Sequence, residues 1–190
     1  MSSYDHYKPG PASGAHIDKR GENGEEWTLV LVRELRHSPD KVWLALTDPA
    51  QLAQWAPFNA SHSMARVGAV SLTTVNAPVE QVSQTEIIRA IEPELLEYKW
   101  GDGLMRWQLE ANGSGTRLTL WHAIARPYIA MGAAGWHICL DVLDSFIAGQ
   151  PLGRIVGIGV MQFEGWQRLK AEYELRFGVK TRDWSKAQPE

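Results

Sequence analysis

The sequence predicts an α+β fold. A curved antiparallel sheet is wrapped around a long C-terminal helix, two short helices follow the first strand, and an extra helix lies at the C-terminal end. Three observations predict it. Apolar residues alternate at period two over 25–35 and again through most of 62–125. Short turns separate the segments of that second region, which makes sequential strands antiparallel neighbours. After Pro127 the apolar period becomes helical. A meander covered on one face by helices is one of the few layer architectures open to such an order, and a long sheet twists until it curls.

The elements follow in order. Residues 1–24, MSSYDHYKPGPASGAHIDKRGENG, are rich in Gly, Pro, Ser and charge, have no apolar period, and read as a disordered tail. EEWTLVLVREL alternates around Trp27, Leu29, Leu31 and Leu35 and predicts a strand. In HSPDKVWLALT, Ser38 is placed to cap a helix, Pro39 fits its first position, and Asp40 favours its dipole. TDPAQLAQWAPF repeats the device with Asp48, Pro49 and Gln51, so two short helices hinge at Asp48–Pro49. The meander comprises VGAVSLTTVN, EQVSQTEIIRAIE, LLEYKWG, LMRWQLEAN and TRLTLWHAIA. Its turns are marked by Ala77–Pro78, Glu92–Pro93, Gly101–Asp102–Gly103 and Asn112–Gly113–Ser114–Gly115. Trp136, Leu140, Leu143 and Ile147 form one stripe of the long helix, which Gly149 and Pro151 end. A Gly-rich connector, 151–160, leads to a last helix at about 160–177 carrying Met161, Trp166, Leu169, Tyr173 and Phe177. The expected organisation is a tail at 1–24, one domain at 25–150, and an extension at 151–190 whose helix packs on that domain.

Composition excludes several function classes. With 44% hydrophobic and 22% charged residues, the 190-residue chain is of ordinary globular make-up and can build a real core. A net charge of −3 with no basic stripe argues against a nucleic-acid partner. One cysteine rules out an internal disulfide framework and fits a reducing cytoplasm. The first residues lack the apolar stretch of a secretory signal, and no run of apolar residues is long enough to span a membrane. Gly153, Gly157 and Gly159 lack the Gly-Lys-Ser/Thr of a phosphate loop. Tryptophan, at nine residues, is the unusual figure. Indoles fill dense cores and also wall pockets for apolar or aromatic molecules.

Several stretches together resemble one family. SPDKVWLALTDPAQLAQW, with Val42–Trp43, Thr47–Asp48–Pro49 and Trp55, is similar to the helix-pair signature of the SRPBCC, or START-like, superfamily. More narrowly it resembles the branch of activator of heat-shock protein 90 ATPase homologue-like proteins. EIIRAIEPELLEYKW resembles that branch's paired strands, GSGTRLTLWH its Gly-Thr strand ending in histidine, and GWHICLDVL the opening of its C-terminal helix. The likeness covers about residues 25–150. It departs at Val67–Gly68–Ala69, where the branch has a Gly-Gly pair, and in the extra C-terminal helix. The resemblance implies the helix-grip fold, often with an apolar cavity between sheet and helix.

Candidate sites follow. His137, Asp141 and Asp144 share a helix face, but the stripe through Trp136 and Leu140 must face the sheet. That cluster and Cys139 therefore read as a solvated face and core edge, and no metal or other cofactor is expected. His122 shares a strand face with Leu118 and Leu120 and is a candidate to orient a ligand or act as acid/base. Arg106 shares a face with Leu104 and Gln108 and is named as an anchor for a carboxylate or phenolate, should that face be concave. The expected ligand-binding set is Trp55, Phe58, Trp100, Arg106, Trp107, His122, Trp136 and Leu140. The expected function is binding of a hydrophobic or aromatic small molecule, a lipid or polyketide for example. A chaperone-associated interaction module is one alternative, and a cyclase- or hydrolase-like enzyme using His122 is another. The sequence displays no reaction, and monomer and homodimer both stay open.

Overall fold

In the computed structural model, which describes residues 6–182, eight strands form one antiparallel sheet. They are β1 (Ala15–Arg20), β2 (Glu26–Leu35), β3 (Phe58–Ala60), β4 (Gly68–Thr74), β5 (Val82–Ile91), β6 (Leu95–Trp100), β7 (Gly103–Asn112) and β8 (Gly115–Ala123). Their spatial order is β1-β2-β8-β7-β6-β5-β4-β3. Consecutive strands from β3 to β8 are neighbours, as short turns require, and β2 closes onto β8. Between β2 and β3 lie α1 (Pro39–Thr47) and α2 (Pro49–Trp55). After β8 come the long α3 (Ile129–Ile147) and α4 (Glu164–Phe177). The sheet curls as a half-barrel around α3, as the family resemblance implies.

Register explains which side chains reach the interior. Met105, Trp107 and Leu109 of β7 stand opposite His122, Leu120 and Leu118 of β8, and all six are buried. Between them on the same strands, Leu104, Arg106 and Gln108 of β7 face outward. Leu29 and Leu31 of β2 continue the inner row beside His122 and Leu120. From α3, the stripe of Ile129, Ala133, Trp136, Leu140 and Leu143 packs towards this concave face, and Ile138 and Val142 on the other side of the helix are buried as well. At the hinge, Asp48 Oδ1 accepts the backbone N–H of Gln51 at 2.9 Å, so the expected cap of α2 is formed. Ser38 occupies the cap position of α1 but makes no side-chain cap bond; the proline behind it suffices to start the helix.

The expected tail at 1–24 gives way to structure. Residues 15–20 are β1, paired in register with Glu26–Leu31, and residues ahead of them run along α4. There Glu172 accepts the N–H of Ala12, Arg168 donates to the carbonyl of Pro9, and Arg176 donates to that of Ala15. Only Ala15 and Ile17 of β1 face the core. Local composition therefore shows no strand; backbone pairing and the α4 side chains supply it. The last helix begins at 164 instead of about 160, after a 3₁₀ turn over Ile158–Gln162 that contains Met161. Residues 1–5 of the expected tail, and Trp184 with the rest of 183–190, lie outside the described residues.

Candidate functional site

At one end of the interface between sheet and α3 a cleft of about 380 Å³ remains open. The meander provides Trp100 from the end of β6, Gly103 from β7 and His122 from β8. From α3, Met131, Gly135, Trp136 and Cys139 form the opposite wall. The connector after α3 closes a third side with Ile155, Val156, Gly157 and Val160. None of these lining residues carries a fixed charge.

The aromatic floor is built by register and by one hydrogen bond. Trp100 and His122 stack with ring centres 6.0 Å apart, and Trp136 meets both edge-on at 5.9 Å. Trp136 donates Nε1–H to Nδ1 of His122 at 2.9 Å. An indole nitrogen is a donor only, so Nδ1 must be the unprotonated nitrogen and the neutral ring carries its hydrogen on Nε2. The imidazole is 8% exposed, and burial pushes its pKa down to about 4. Gly103 makes room for the ring: a Cβ there would stand 2.8 Å from Nε2 and 2.7 Å from the carbonyl of Ala123.

The connector is held from behind. Arg154 Nη2 donates to the carbonyls of Leu52 and Phe58 at 2.9 and 3.0 Å, which ties residues 151–157 to the end of α2 and to β3. Gly157 has φ +74, and a Cβ there would meet the carbonyl of Asn76 at 2.5 Å. The next residue, Ile158, donates its N–H to that same carbonyl. Cys139 is buried, and desolvation pushes its thiol up to about 12, so it is no nucleophile at neutral pH.

Three of the expected ligand-binding residues, Trp100, His122 and Trp136, line the cleft together. Trp55, Phe58, Trp107 and Leu140 do not line it; they are core, with Leu140 1% exposed. Trp55, Phe58 and Trp107 nevertheless belong to the same aromatic chain. Trp107 meets Trp136 at 5.5 Å and Trp55 at 6.0 Å, while Phe58 meets Trp100 at 5.3 Å. Trp55 and Trp107 satisfy their N–H groups on the carbonyl of Ala45 and on Tyr98 Oη, which locks them as packing. Arg106 is corrected outright. It lies on the outer face, stacked over Trp121 at 5.2 Å and paired with Glu97, so it cannot anchor a ligand in the cleft. The connector residues were not foreseen, because Gly-rich sequence without apolar period gives no sign of which wall it will cover.

His137 is a second correction. It is 3% exposed, not solvated, because α4 and the N-terminal segment cover that side of α3. Its Nδ1 lies 2.8 Å from Tyr173 Oη, which in turn donates to the carbonyl of Ser13. Asp141 accepts a hydrogen bond from Tyr7 Oη at 2.6 Å and faces Arg33 at 4.0 Å. Asp144 does reach solvent and pairs with His37 at 3.0 Å. Among the described residues no three His, Cys, Asp or Glu side chains are grouped as metal ligands would be.

A curled antiparallel sheet gripping a long helix, with an apolar cleft at one end of their interface, is the architecture of the helix-grip proteins of the SRPBCC superfamily. Within it the chain belongs to the Activator of Hsp90 ATPase homolog 1-like proteins, whose family model matches residues 36–148. The structure is similar to that of CalU16 from Micromonospora echinospora, with a TM-score of 0.61 at 20% identity over 85% of this chain and 93% of that one. It is also similar to EF2215, a conserved protein of unknown function from Enterococcus faecalis, with a TM-score of 0.61 at 15% identity over 85% and 89% of the two chains. An AHSA1-like protein from Aeromonas hydrophila gives 0.54 at 15% identity over 66% and 94%. At these identities the likeness is one of fold. No curated protein matches the chain.

Proposed function

We propose that this protein binds an apolar or aromatic small molecule in the cleft between the sheet and α3. The observation that carries the reading is the cleft itself. Its 380 Å³ falls within the range of small-molecule sites, its walls are mostly apolar and aromatic, and the imidazole of His122 is fixed at its floor by Trp136. Binding is favoured over catalysis because, among the described residues, no carboxylate lines the cleft with His122 and the thiol of Cys139 is held protonated by burial. No disulfide partner exists for buried Cys139, which fits a reducing, cytoplasmic setting. Among the described residues no helix is long and apolar enough to cross a membrane.

Native mass spectrometry of the full chain, purified without organic solvent, is the direct test. A bound small molecule, displaced in a Trp100→Ala variant, is the expected result. Failure of the protein to bind any member of a panel of lipids and fused aromatic compounds in a saturable way would overturn the proposal.

A second reading, a chaperone-associated module, draws on the family's name and on one surface feature. Ile88, Ile91 and Leu104 are exposed, and Leu104 shares the outer sheet face with Arg106 and Glu97. It requires that the purified protein stimulate a heat-shock protein 90 ATPase; no stimulation at saturating concentration excludes it.

A further inference from the structure

Resting on the cleft reading above, we infer that the buried end of the ligand carries an uncharged hydrogen-bond acceptor, a ketone- or quinone-type carbonyl on a flat aromatic body, which receives the Nε2 hydrogen of His122. The ligand is then a neutral aromatic carbonyl compound and not a fatty acid or other carboxylate.

The argument starts from the tautomer. Trp136 occupies Nδ1 with a donor, so the hydrogen of the neutral imidazole sits on Nε2. Nδ1 faces α3, and the opposite edge of the ring lies against Gly103, which lines the cleft with His122. Among the described residues Trp136 makes the one side-chain hydrogen bond of His122, at Nδ1, and Nε2 is not among the fully enclosed polar atoms. A donor on a side chain more than nine-tenths buried is thus left for whatever fills the cleft. What it needs is a lone pair on an atom that enters an apolar space.

Charge decides between the acceptors available. A carboxylate would bring a full negative charge next to a neutral ring, and no Lys or Arg lines the cleft to compensate it. Two nearby arginines stay out of the cleft lining, although Nε of Arg154 has no hydrogen-bond partner. Arg154 donates to Leu52 and Phe58, and Arg106 is on the other side of the sheet. A carbonyl oxygen brings the lone pair without the charge. Trp100, stacked against His122, and Trp136, set across both rings, supply flat apolar faces for the body that bears it.

The test uses three probes of one shape on the full-length protein, by isothermal titration calorimetry at pH 7: 2-acetylnaphthalene, 2-ethylnaphthalene and 2-naphthoate. The ketone should bind about three- to tenfold more tightly than the hydrocarbon, the worth of one net hydrogen bond. The carboxylate should bind at least about tenfold more weakly than the ketone. In His122→Phe the ketone and hydrocarbon should become equal. Should that variant fail to fold, imidazole nitrogen NMR of the wild type replaces it: the Nε2–H signal must move with the ketone and stay still with the hydrocarbon. A ketone without advantage, a preference for naphthoate, an unchanged ratio in the variant, or a still Nε2–H signal overturns the inference and leaves the cleft reading standing. Binding of none of the three overturns the inference, and the panel of lipids and fused aromatic compounds then decides the cleft reading.

Discussion

Trp136 donates its indole hydrogen to Nδ1 of His122 across 2.9 Å, from the long helix to the last strand of the sheet. This bond crosses the gap that the sheet curls around, and it fixes which nitrogen of the imidazole is left for the cleft. Replacing Trp136 by Phe keeps an aromatic ring and removes the donor. The variant should lose about 1–3 kcal/mol of stability by urea unfolding, since a buried acceptor is left unpaired. Nitrogen NMR of its His122 should show both neutral tautomers where the wild type shows one.

Acid should act through the same ring. Burial lowers the pKa of His122 from 6.5 to about 4, so the unfolded chain takes up a proton that the folded ring refuses. Stability therefore falls as the pH drops from 6.5 towards 4 and gains nothing from this residue above 6.5. The slope is about 1.4 kcal/mol per pH unit at its steepest. His137, lowered to about 4 by its burial and by Arg33 and Arg168, acts in the same sense. Urea unfolding at pH 5 and pH 7 should show a smaller loss in His122→Phe than in the wild type; equal losses would remove His122 from the account.

Gly103 is a position where one methyl group decides the shape of the floor. In Gly103→Ala the new carbon meets His122 Nε2 at 2.8 Å and the carbonyl of Ala123 at 2.7 Å, so the ring or the strand must shift. Thermal unfolding should register a cost of about 1–3 kcal/mol, and affinity for any cleft ligand should fall by more than the stability change accounts for.

The connector wall depends on Arg154. Arg154→Leu leaves the carbonyls of Leu52 and Phe58 without that donor. About 1–3 kcal/mol should be lost, and limited proteolysis within 151–157 should accelerate. Ligand dissociation, followed by stopped flow, should accelerate with it, because this segment carries Ile155, Val156 and Gly157 into the cleft.

Tyr173 offers the opposite case. Its hydroxyl links His137 to the carbonyl of Ser13 on the side of α3 away from the cleft. Tyr173→Phe should lower stability by about 1–3 kcal/mol while leaving ligand affinity unchanged. A change in affinity would mean that the two sides of α3 are coupled.

The sequence by itself determined the order of the main elements from β2 to α4, though not β1 or the short β3, and the apolar stripe of each. Alternation placed Leu118, Leu120 and His122 on one face of β8, helical spacing turned Trp136 and Leu140 towards the sheet, and turn residues made the meander antiparallel. These are local properties, because side-chain period is set by the backbone of the element that carries it. The tertiary structure alone decided what each stripe meets. Trp107 and Trp136 carry the same side chain and face the same interior, yet only Trp136 borders the cleft. Arg106 could be assigned to a face but not to the concave or convex side until the sheet had curled. His137 stood on the polar side of its helix, and what buried it were α4 and residues near the N-terminus, brought across the molecule by contacts between Tyr7 and Asp141 and between Ser13 and Tyr173. Periodicity reports that a face is apolar or polar. Whether a partner arrives to cover it depends on segments far away in the chain, and that information exists only once they have packed.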